Sequence, residues 1–479
     1  MSSKIKVGTF VCTQKDQEKN EPLGIECLET SLSSKFGNEV VVEDLGEGPV
    51  DVLMVSANCF PEGLASIIQE HPEAIILLGG AYPTTYYEEV LNVFPTAIIT
   101  IGEGENTNIA LIEKAICCKE KGMQFTAEIL YDVPNLAFKD GAYTINTPRC
   151  VKELPLFDCP THRRLLTGVV ESGGFARLET GRGCDWNRCS FCTVPNKYNM
   201  LGSRRYSLDR VKTEIAELSS KGVKEICLTD EEFIGKDTEY TEKLVDWIIL
   251  SKAEGTIDRD TRFMASISVV MCMAHHWNDG ENKILLRKMK AAGFDSCFIG
   301  IESGSRTQLK RYNKGATPEM NLEFLAFMKE IGINADIGFI MFDPLMTFKE
   351  LEENIAFIKE AGMNKSTARV VKKMMLIPGT AYTREYEART GIRVNSHMDG
   401  DDVWMYLDHR VREVLHRIKI GRRQEDLIIQ TEIRKGLDDG KDQLLESRCL
   451  EFENLEEIVE EIVDRNKGSF PTVLKEATA

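Results

Sequence analysis

Short apolar segments alternate with helical segments in two long series along this chain, and this alternation strongly restricts the fold. In the first series the apolar segments are 4–12, 40–45, 50–57, 74–80 and 97–102. In the second series they are 175–184, 225–233, 263–272, 296–303, 334–343 and 368–379. Strands of this length that alternate with helices are typical of parallel sheets covered by helices. The sequence therefore predicts an α/β protein with two parallel-sheet units.

These two series divide the chain into four predicted regions. Residues 1–116 are expected to form a doubly wound, Rossmann-like domain, and residues 175–385 six β-α units of a partial TIM-like barrel. Residues 117–174 contain four prolines and are interpreted as a connector. Residues 386–479 are predicted to be a mostly helical, charged C-terminal region, in which 455–465 forms a helix that packs on the barrel.

Three polar residues mark the predicted starts of barrel helices. Ser207, Thr317 and Thr347 each precede a segment with helical periodicity. Side-chain oxygens of serine and threonine accept hydrogen bonds from backbone N–H groups in the first helical turn. We therefore expect helices to begin directly after these three residues.

The charge and the apolar runs exclude several classes of protein. The chain has 59 basic and 76 acidic residues, which gives a net charge of −17. This charge disfavours binding to nucleic acids and to anionic membranes. No run approaches the ~18 apolar residues of a membrane span, and the N-terminus does not resemble a signal peptide. The expected compartment is the cytoplasm, where thiols stay reduced.

Three of the 14 cysteines lie close together, within LETGRGCDWNRCSFCTVP. Cys184, Cys189 and Cys192 have the spacing C-x₄-C-x₂-C and follow the first predicted barrel strand, at the end where barrel enzymes keep their active sites. Three thiolates on one loop favour a soft metal centre. A [4Fe–4S] cluster held by three cysteines leaves one iron open to another ligand. A structural zinc site is the alternative, but zinc usually takes four protein ligands. The residues that could complete such a site are Cys272, His275 and His276.

The order of these motifs resembles the radical S-adenosylmethionine (SAM) superfamily. The run GRGC…CSFC is followed by one strand that ends in TDEEF and another that ends in GIESGS. The resemblance covers residues 1–385 and is closest to the branch with an N-terminal cobalamin-binding domain. The usual family spacing is C-x₃-C-x₂-C, so the first gap is one residue longer here. The resemblance implies that a [4Fe–4S] cluster on the three cysteines binds SAM and cleaves it to a 5′-deoxyadenosyl radical.

The resemblance also implies a set of residues that contact SAM. Phe191 matches the aromatic position near the adenine, and Asp230 and Glu231 match the groups that bind the methionyl ammonium. Glu302 and Ser303 match a polar pair that contacts the ribose or the carboxylate. The segment LKRYNKG (309–315) also resembles this branch, without an assigned role.

The first unit resembles the cobalamin-binding domain of the same branch. Gly79, Gly80, Glu103 and Gly104 follow predicted strands, at the edge where open α/β sheets bind ligands. The alternative is a set of tight turns with no ligand. The domain lacks the D-x-H-x-x-G motif that supplies a histidine to cobalt in many cobalamin domains. The resemblance therefore implies cobalamin without a protein histidine ligand.

The predicted function is methylation of an unactivated carbon by a cobalamin-dependent radical SAM enzyme. The substrate would be a small molecule or a peptide, and the electron would come from a reductant such as flavodoxin or ferredoxin. One alternative is radical cyclisation, rearrangement or coupling without methyl transfer. Another is a methylthiotransferase, whose second cluster would take Cys12, Cys27 and Cys59. A third is a non-catalytic iron–sulfur or zinc scaffold.

Overall fold

The N-terminal unit of the computed structural model is a seven-stranded sheet in the order β2-β1-β3-β4-β5-β6-β7. Its strands are β1 (Ile5–Cys12), β2 (Val40–Asp44), β3 (Val52–Ala57), β4 (Ile75–Gly79), β5 (Ile98–Thr100), β6 (Leu136–Asp140) and β7 (Tyr143–Asn146). Strands β1 to β5 are parallel, and β6 and β7 are antiparallel. The order 2-1-3-4-5 changes direction at β1, and doubly wound sheets bind ligands at such a point.

The structure describes most of the chain. The described residues are 4–12, 21–46, 48–61, 63–151, 160–171, 174–274, 277, 280–363, 372–396, 398, 402–418 and 454–465. No helix among them is both long enough and apolar enough to cross a membrane.

Helices cover both faces of the N-terminal sheet, as the doubly wound prediction requires. They are α1 (Leu23–Phe36), α2 (Leu64–Glu70), α3 (Ala81–Thr85), α4 (Tyr87–Val93) and α5 (Glu105–Lys121). Apolar residues of α1 and α5 form one core with the sheet, and those of α2 and α4 form a second. The doubly wound prediction is confirmed because each face of the sheet buries its own helices.

The segment predicted as a connector adds two strands to this sheet. Helix α5 runs across residue 116, where we predicted the boundary, and β6 and β7 follow it as a hairpin. Pro134 and Pro148 stand just outside the hairpin, where proline does not interrupt a strand ladder. Gly141, at φ +57°, lies in its turn. The prolines had indicated irregular chain, but here they mark the ends of the hairpin.

The second unit is a five-stranded parallel sheet with helices between its strands. Its strands, in spatial order, are β14 (Asn334–Phe339), β13 (Phe294–Glu302), β12 (Arg262–Ile267), β11 (Glu225–Leu228) and β8 (Ala176–Leu178). The short strands β9 (Gly181–Arg182) and β10 (Arg204–Arg205) form a separate antiparallel pair. The helices are α6 (Leu166–Glu171), α7 (Val194–Lys197), α8 (Leu208–Ser220), α9 (Thr238–Glu254), α10 (Val269–Ala274), α11 (Glu281–Ala292), α12 (Arg306–Arg311), α13 (Pro318–Ile331), α14 (Phe348–Glu360) and α15 (Ala381–Thr390).

Three of the six predicted barrel strands differ in the structure. The predicted strand 175–184 leaves the barrel sheet after Leu178, because the backbone at Gly181 lies against Arg204, where a Cβ would be 2.5 Å from the carbonyl oxygen. The second half of 263–272 is helix α10, since an uninterrupted apolar run suits a buried helix as well as a strand. The predicted strand 368–379 lies partly outside the described residues. Its remainder forms one parallel bridge, between Phe342 and Lys373.

The predicted helix starts and the C-terminal helix are confirmed. Ser207 accepts a hydrogen bond from the N–H of Arg210, and Thr317 accepts one from Met320. Thr347 and Glu350 cap each other's backbone N–H groups reciprocally. Residues 409–418 and 454–465 are helical, and their apolar side chains join the barrel core.

A buried carboxyl group in α1 gives the fold an expected pH dependence. Glu26 is fully buried and accepts a hydrogen bond of 2.8 Å from the N–H of Leu165. Burial and the neighbouring Glu21 raise the pKa of Glu26 to about 8. Because the folded state then holds this proton more tightly than the unfolded state, stability falls as pH rises from the ordinary pKa of 4.5 to about 8.

The Glu26→Gln variant should lose this part of the pH dependence. Its free energy of unfolding in urea should fall less than that of the wild type between about pH 5 and about pH 9, since glutamine does not ionise. The exposed Glu39→Gln variant is the control and should follow the wild type. Parallel curves for Glu26→Gln and the wild type would show that this carboxyl does not cause the effect.

Candidate functional site

The three clustered cysteines lie on the loop between β9 and α7. Gly183 begins this turn with φ +93°, and a Cβ there would be 2.6 Å from the carbonyl oxygen of Gly202. Only glycine therefore fits at the start of the loop. Cys184, Cys189 and Cys192 are all half-buried, and the N–H of Val194 lies 3.5 Å from the sulfur of Cys192. The sequence and the turn place all three thiols beside one end of the barrel.

Burial keeps these thiols protonated when no metal is bound. It raises the pKa of Cys184 to about 11 and that of Cys189 to about 12, and the charges of neighbouring thiolates and carboxylates add to this effect. Binding of iron must therefore displace protons. Among the described residues, no three His, Cys, Asp or Glu side chains converge on the position of a single metal ion. Zinc requires such convergence, whereas a cubane cluster binds each cysteine through a different iron.

Of the alternative zinc ligands, the described residue Cys272 does not join this loop. Cys272 lies on α10, fully buried in the barrel core. Burial raises the pKa of its thiol, and the charges that act on it belong to Glu232 and Cys297. His275 and His276 lie outside the described residues.

The acidic residues after β11 have different partners. Glu231 accepts hydrogen bonds from the N–H of Gly183 (3.0 Å), the ammonium of Lys197 (2.8 Å) and the hydroxyl of Tyr198 (2.6 Å). Burial opposes its ionisation, yet Lys197 and the hydrogen bonds hold the pKa of Glu231 below its ordinary value. Glu231 is therefore an anion that touches the cysteine loop.

The neighbouring Asp230 is used within the protein. It is buried, accepts a hydrogen bond from the N–H of Thr180 at 2.8 Å, and forms an ion pair with Arg205 at 2.9 Å. Burial raises the pKa of Asp230 to about 6, although Arg205 counteracts it. These contacts join β8, β10 and β11, so we retain Glu231 rather than Asp230 as the candidate for binding the SAM ammonium.

Glu302 adopts a conformation that few residues with a side chain adopt. Its φ is +67°, at an irregularity where the pairing of β13 with β14 shifts. Backbone in this region is strained for residues other than glycine and is enriched at functional sites. The carboxylate forms an ion pair of 3.1 Å with the ammonium of Lys314, and both side chains are about nine-tenths buried. A Cβ at Gly300 would lie 2.5 Å from this carboxylate, so glycine leaves room for the pair.

Lys314 is the functional residue that the sequence analysis missed. Its charge acts on the thiols of Cys189 and Cys192, and the pKa of Lys314 is raised by Glu302 and these thiols although its burial acts in the opposite direction. A sequence signal for Lys314 existed, because it lies in the segment LKRYNKG. This segment resembles the same branch of the family but had no assigned role. A buried cation whose charge acts on two of the three thiols can balance the negative charge of a bound cluster or bind a carboxylate.

The other two residues predicted to contact SAM, Phe191 and Ser303, differ in how deeply they are buried. The Phe191 ring is half-buried and lies edge-on to Tyr312, with 5.3 Å between ring centroids. Ser303 is fully buried, and its hydroxyl lies 2.8 Å from the side-chain oxygen of Asn354 and accepts from the N–H of Ser305. Phe191 stays a prediction, whereas the contacts of Ser303 are directed into the protein.

A large cavity separates the N-terminal sheet from the cysteine loop. Its volume is about 1180 Å³, and a smaller cavity of about 170 Å³ shares part of its lining. Residues of the N-terminal strand ends that line the large cavity are Ser56, Asn58, Gly80 and Gly102. Residues of the barrel unit that line it include Thr193, Val194, Glu231, Pro378 and Gly379. The cavity therefore touches both the ligand-binding edge of the first sheet and the end of the cysteine loop.

The predicted cobalamin residues all line the smaller cavity, but for different reasons. A Cβ at Gly80 would lie 2.4 Å from the carbonyl oxygen of Ala57, and one at Gly104 would lie 3.0 Å from Leu28. The backbone therefore requires glycine at position 80, whereas a side chain at position 104 would only need Leu28 to shift. At Gly79 a Cβ would lie 4.0 Å from the side chain of Thr100, an ordinary van der Waals contact, so this position has room for a side chain.

Glu103 lines the smaller cavity and also connects the two units. Its carboxylate forms ion pairs with Arg204 at 2.8 Å and with Arg182 at 3.2 Å, and Arg182 also pairs with Glu105 at 2.6 Å. All four side chains are largely buried. Glu103 thus holds the first sheet against the barrel, a role that only the tertiary structure reveals.

Comparisons with known proteins agree with this arrangement. The model of the radical SAM superfamily matches residues 178–358. The 4′-phospho-dehydrooxetanocin synthase of Priestia megaterium is 30% identical over 361 residues, which are 71% of this chain and 46% of that protein. The chain spans about half the length of the curated relatives it matches.

Two solved structures share the fold of both units. The cobalamin-dependent SAM radical enzyme OxsB, with aqua-cobalamin bound, has a TM-score of 0.75, 21% identity, and coverage of 94% of this chain and 72% of that chain. The radical SAM methyltransferase TsrM from Kitasatospora setae, with cobalamin and a [4Fe–4S] cluster bound, has a TM-score of 0.64, 18% identity, and coverage of 83% and 76%. Residues 178–358, which carry the cysteine loop and most of the barrel strands, are therefore a radical SAM domain.

Proposed function

We propose that the chain is a cobalamin-dependent radical SAM enzyme that methylates an unactivated carbon. The observation that carries this proposal is the cavity of about 1180 Å³, which the N-terminal strand ends and the end of the cysteine loop line together. A corrinoid held by the first sheet would there face SAM held at the loop. The resemblance to OxsB and TsrM supports the same arrangement of two cofactors.

The residues of the loop fit a [4Fe–4S] cluster. Cys184, Cys189 and Cys192 would each bind one iron, and the fourth iron would bind SAM. The cluster supplies one electron, taken from a reductant such as flavodoxin or ferredoxin, which breaks the sulfonium C–S bond and yields methionine and a 5′-deoxyadenosyl radical. In this proposal Lys314 would hold the SAM carboxylate and Glu231 its ammonium, because hydrogen bonds between charged groups are stronger than those between neutral groups.

The two cavities are the proposed site of cobalamin. No histidine among the described residues lines either cavity. Gly79 leaves the backbone open at the end of β4, where a large cofactor can approach. Cobalamin bound there would supply the methyl group, which would come from a second SAM molecule.

The Gly79→Val variant tests the cobalamin site. Valine would project into the smaller cavity, and the backbone at this position needs no positive φ. After anaerobic reconstitution with iron, sulfide and hydroxocobalamin, then gel filtration, the variant should keep its iron and lose the corrinoid spectrum. Gly46→Val, in an exposed loop outside both cavities, is the matched control and should keep both. Equal corrinoid retention by Gly79→Val and the wild type would contradict this site.

A radical rearrangement without methyl transfer is the second candidate. The relative that is 30% identical is named a synthase rather than a methyltransferase, which favours this outcome. The products separate the two functions. Methylation forms S-adenosylhomocysteine together with 5′-deoxyadenosine, whereas rearrangement forms only the latter.

The methylthiotransferase alternative has less support from the structure. The sulfurs of Cys12 and Cys59 lie 3.6 Å apart at the ends of β1 and β3. Cys27 is buried in α1, where its nearest polar partner is the hydroxyl of Thr161. A second cluster would need the third thiol beside the other two.

A further inference from the structure

Every residue of the longer gap between Cys184 and Cys189 is tied to another segment of the chain. Asp185 accepts hydrogen bonds from the N–H of Ser203 (3.2 Å) and of Lys236 (2.8 Å). Asn187, at φ +45°, donates its side-chain amide to the carbonyl oxygens of Met200 (2.9 Å) and Leu201 (3.2 Å). The additional residue between Cys184 and Cys189 therefore does not leave the loop without fixed contacts.

The centre of the gap is held by the segment 313–315. The indole N–H of Trp186 donates to the carbonyl oxygen of Asn313 at 2.8 Å, and the side-chain amide of Asn313 donates to the carbonyl oxygen of Arg188 at 3.0 Å. The Trp186 ring lies directly on Gly315, where a Cβ would be 2.3 Å from the ring at φ +76°. Two reciprocal hydrogen bonds and one close packing contact thus join the two segments.

The same segment carries the ammonium that acts on the thiols. Lys314 lies between Asn313 and Gly315, and its charge reaches Cys189 and Cys192. A displacement of the Trp186 ring would therefore move the loop and the cation relative to each other. The segment also continues toward the last two cysteines, because the N–H of Ser190 donates to the carbonyl oxygen of Tyr312 at 2.8 Å.

We propose that Trp186, through Asn313 and Gly315, is a positioning residue for the iron–sulfur cluster. It fixes the separation of Cys184 and Cys189 and the place of Lys314 beside them. The longer first gap is then the means by which this chain attaches the cysteine loop to the segment that follows α12. This inference rests on the cluster proposed above, and it adds a role for residues that bind neither iron nor SAM.

The Trp186→Phe variant tests the hydrogen bond while keeping a ring on Gly315. Loss of one such bond should speed the removal of iron by a chelator by about three- to tenfold. The electron paramagnetic resonance spectrum of the reduced cluster should change in shape or in its response to SAM. The melting temperature of the protein without iron should remain that of the wild type. Trp247→Phe, at a half-buried tryptophan on α9, is the matched control and should change none of these.

The Gly315→Ala variant tests the packing contact. Its Cβ would force the indole away, so we expect faster iron loss than in Trp186→Phe. Gly222→Ala is the control, since Gly222 has φ +82° but no atom within 4 Å of a Cβ. It carries the same backbone strain without the contact.

The outcomes separate this inference from the function on which it rests. A wild-type protein that binds no iron would overturn the proposed cluster and this role with it. A loaded wild type whose Trp186→Phe variant releases iron at the wild-type rate, with an unchanged spectrum, would overturn only the positioning role. The positioning role would also be overturned if Trp247→Phe changed the rate of iron loss or the spectrum as much as Trp186→Phe does. The same holds if Trp186→Phe lowers the melting temperature of the protein without iron.

Discussion

The Cys189→Ala variant will fold but will bind no stable iron–sulfur cluster and will not cleave SAM. Cys189 is half-buried on a loop and lies outside the barrel core, so removal of its sulfur should cost little stability. It would, however, remove one of the three thiolates available to the cluster on this loop. Two remaining thiolates do not retain a cubane against loss of iron, since such clusters are held by a full set of protein ligands.

Iron and sulfide analysis after anaerobic reconstitution measures this effect. The wild type should hold about four of each per chain, and Cys189→Ala should hold only a small fraction of this amount. Cys150→Ala, at an exposed cysteine outside the loop, is the matched control and should behave as the wild type. A Cys189→Ala protein with full iron content and a normal spectrum would remove the loop from consideration as the cluster site.

The Lys314→Met variant should lose both stability and affinity for SAM. It leaves the Glu302 carboxylate buried and unpaired beside the cysteine loop. Removal of one partner from a buried ion pair costs about 3–5 kcal/mol, because the other charge stays without compensation. The same change removes the cation that we assign to the SAM carboxylate. We therefore expect a lower midpoint of urea unfolding and weaker SAM binding in titration calorimetry.

The double variant Lys314→Met, Glu302→Gln separates these two effects. With both charges removed, much of the lost unfolding free energy should return, and the double-mutant cycle should show strong coupling between the two sites. Affinity for SAM should remain low, since the cation is still absent. Additive changes in stability, or SAM binding that recovers together with stability, would contradict the assigned role of Lys314.

The sequence predicted the cysteine loop and three helix starts, because each depends only on residues close together in the chain. The spacing of Cys184, Cys189 and Cys192 located the loop, and Ser207, Thr317 and Thr347 located three helix starts that the structure confirms. Each of these signals acts within one helical turn or one short loop. Such features persist whatever the rest of the chain does.

The features that were missed depend on parts of the chain far apart in sequence. The ion pairs of Glu103 could not be predicted, because its partners Arg182 and Arg204 lie in the other unit. Lys314, three residues after α12, acts on the thiols of Cys189 and Cys192 only because the fold brings these distant segments together. The apolar run 269–274 is compatible with either a strand or a helix. In the structure it is helix α10, which the sequence pattern alone does not distinguish from a strand.

The residues predicted for ligand contact show the same limit. Glu231 and Ser303 both follow barrel strands, yet Glu231 lines the large cavity and Ser303 is sealed in the interior. Successive side chains of a strand alternate in direction, so a shift of one residue decides which of them reaches the site. The sequence therefore predicts which strand ends lie at the site, but not which side chain at each strand end points into it.

Product analysis of SAM cleavage tests the central claim most directly. The reconstituted protein, reduced with dithionite under anaerobic conditions, should convert SAM to 5′-deoxyadenosine and methionine in equal amounts. The Cys189→Ala variant, treated identically, should form neither above background. Formation of 5′-deoxyadenosine by the wild type alone is the result that the cysteine loop predicts. A fully loaded wild type that forms no 5′-deoxyadenosine, or equal formation by both proteins, would contradict radical SAM chemistry at this loop.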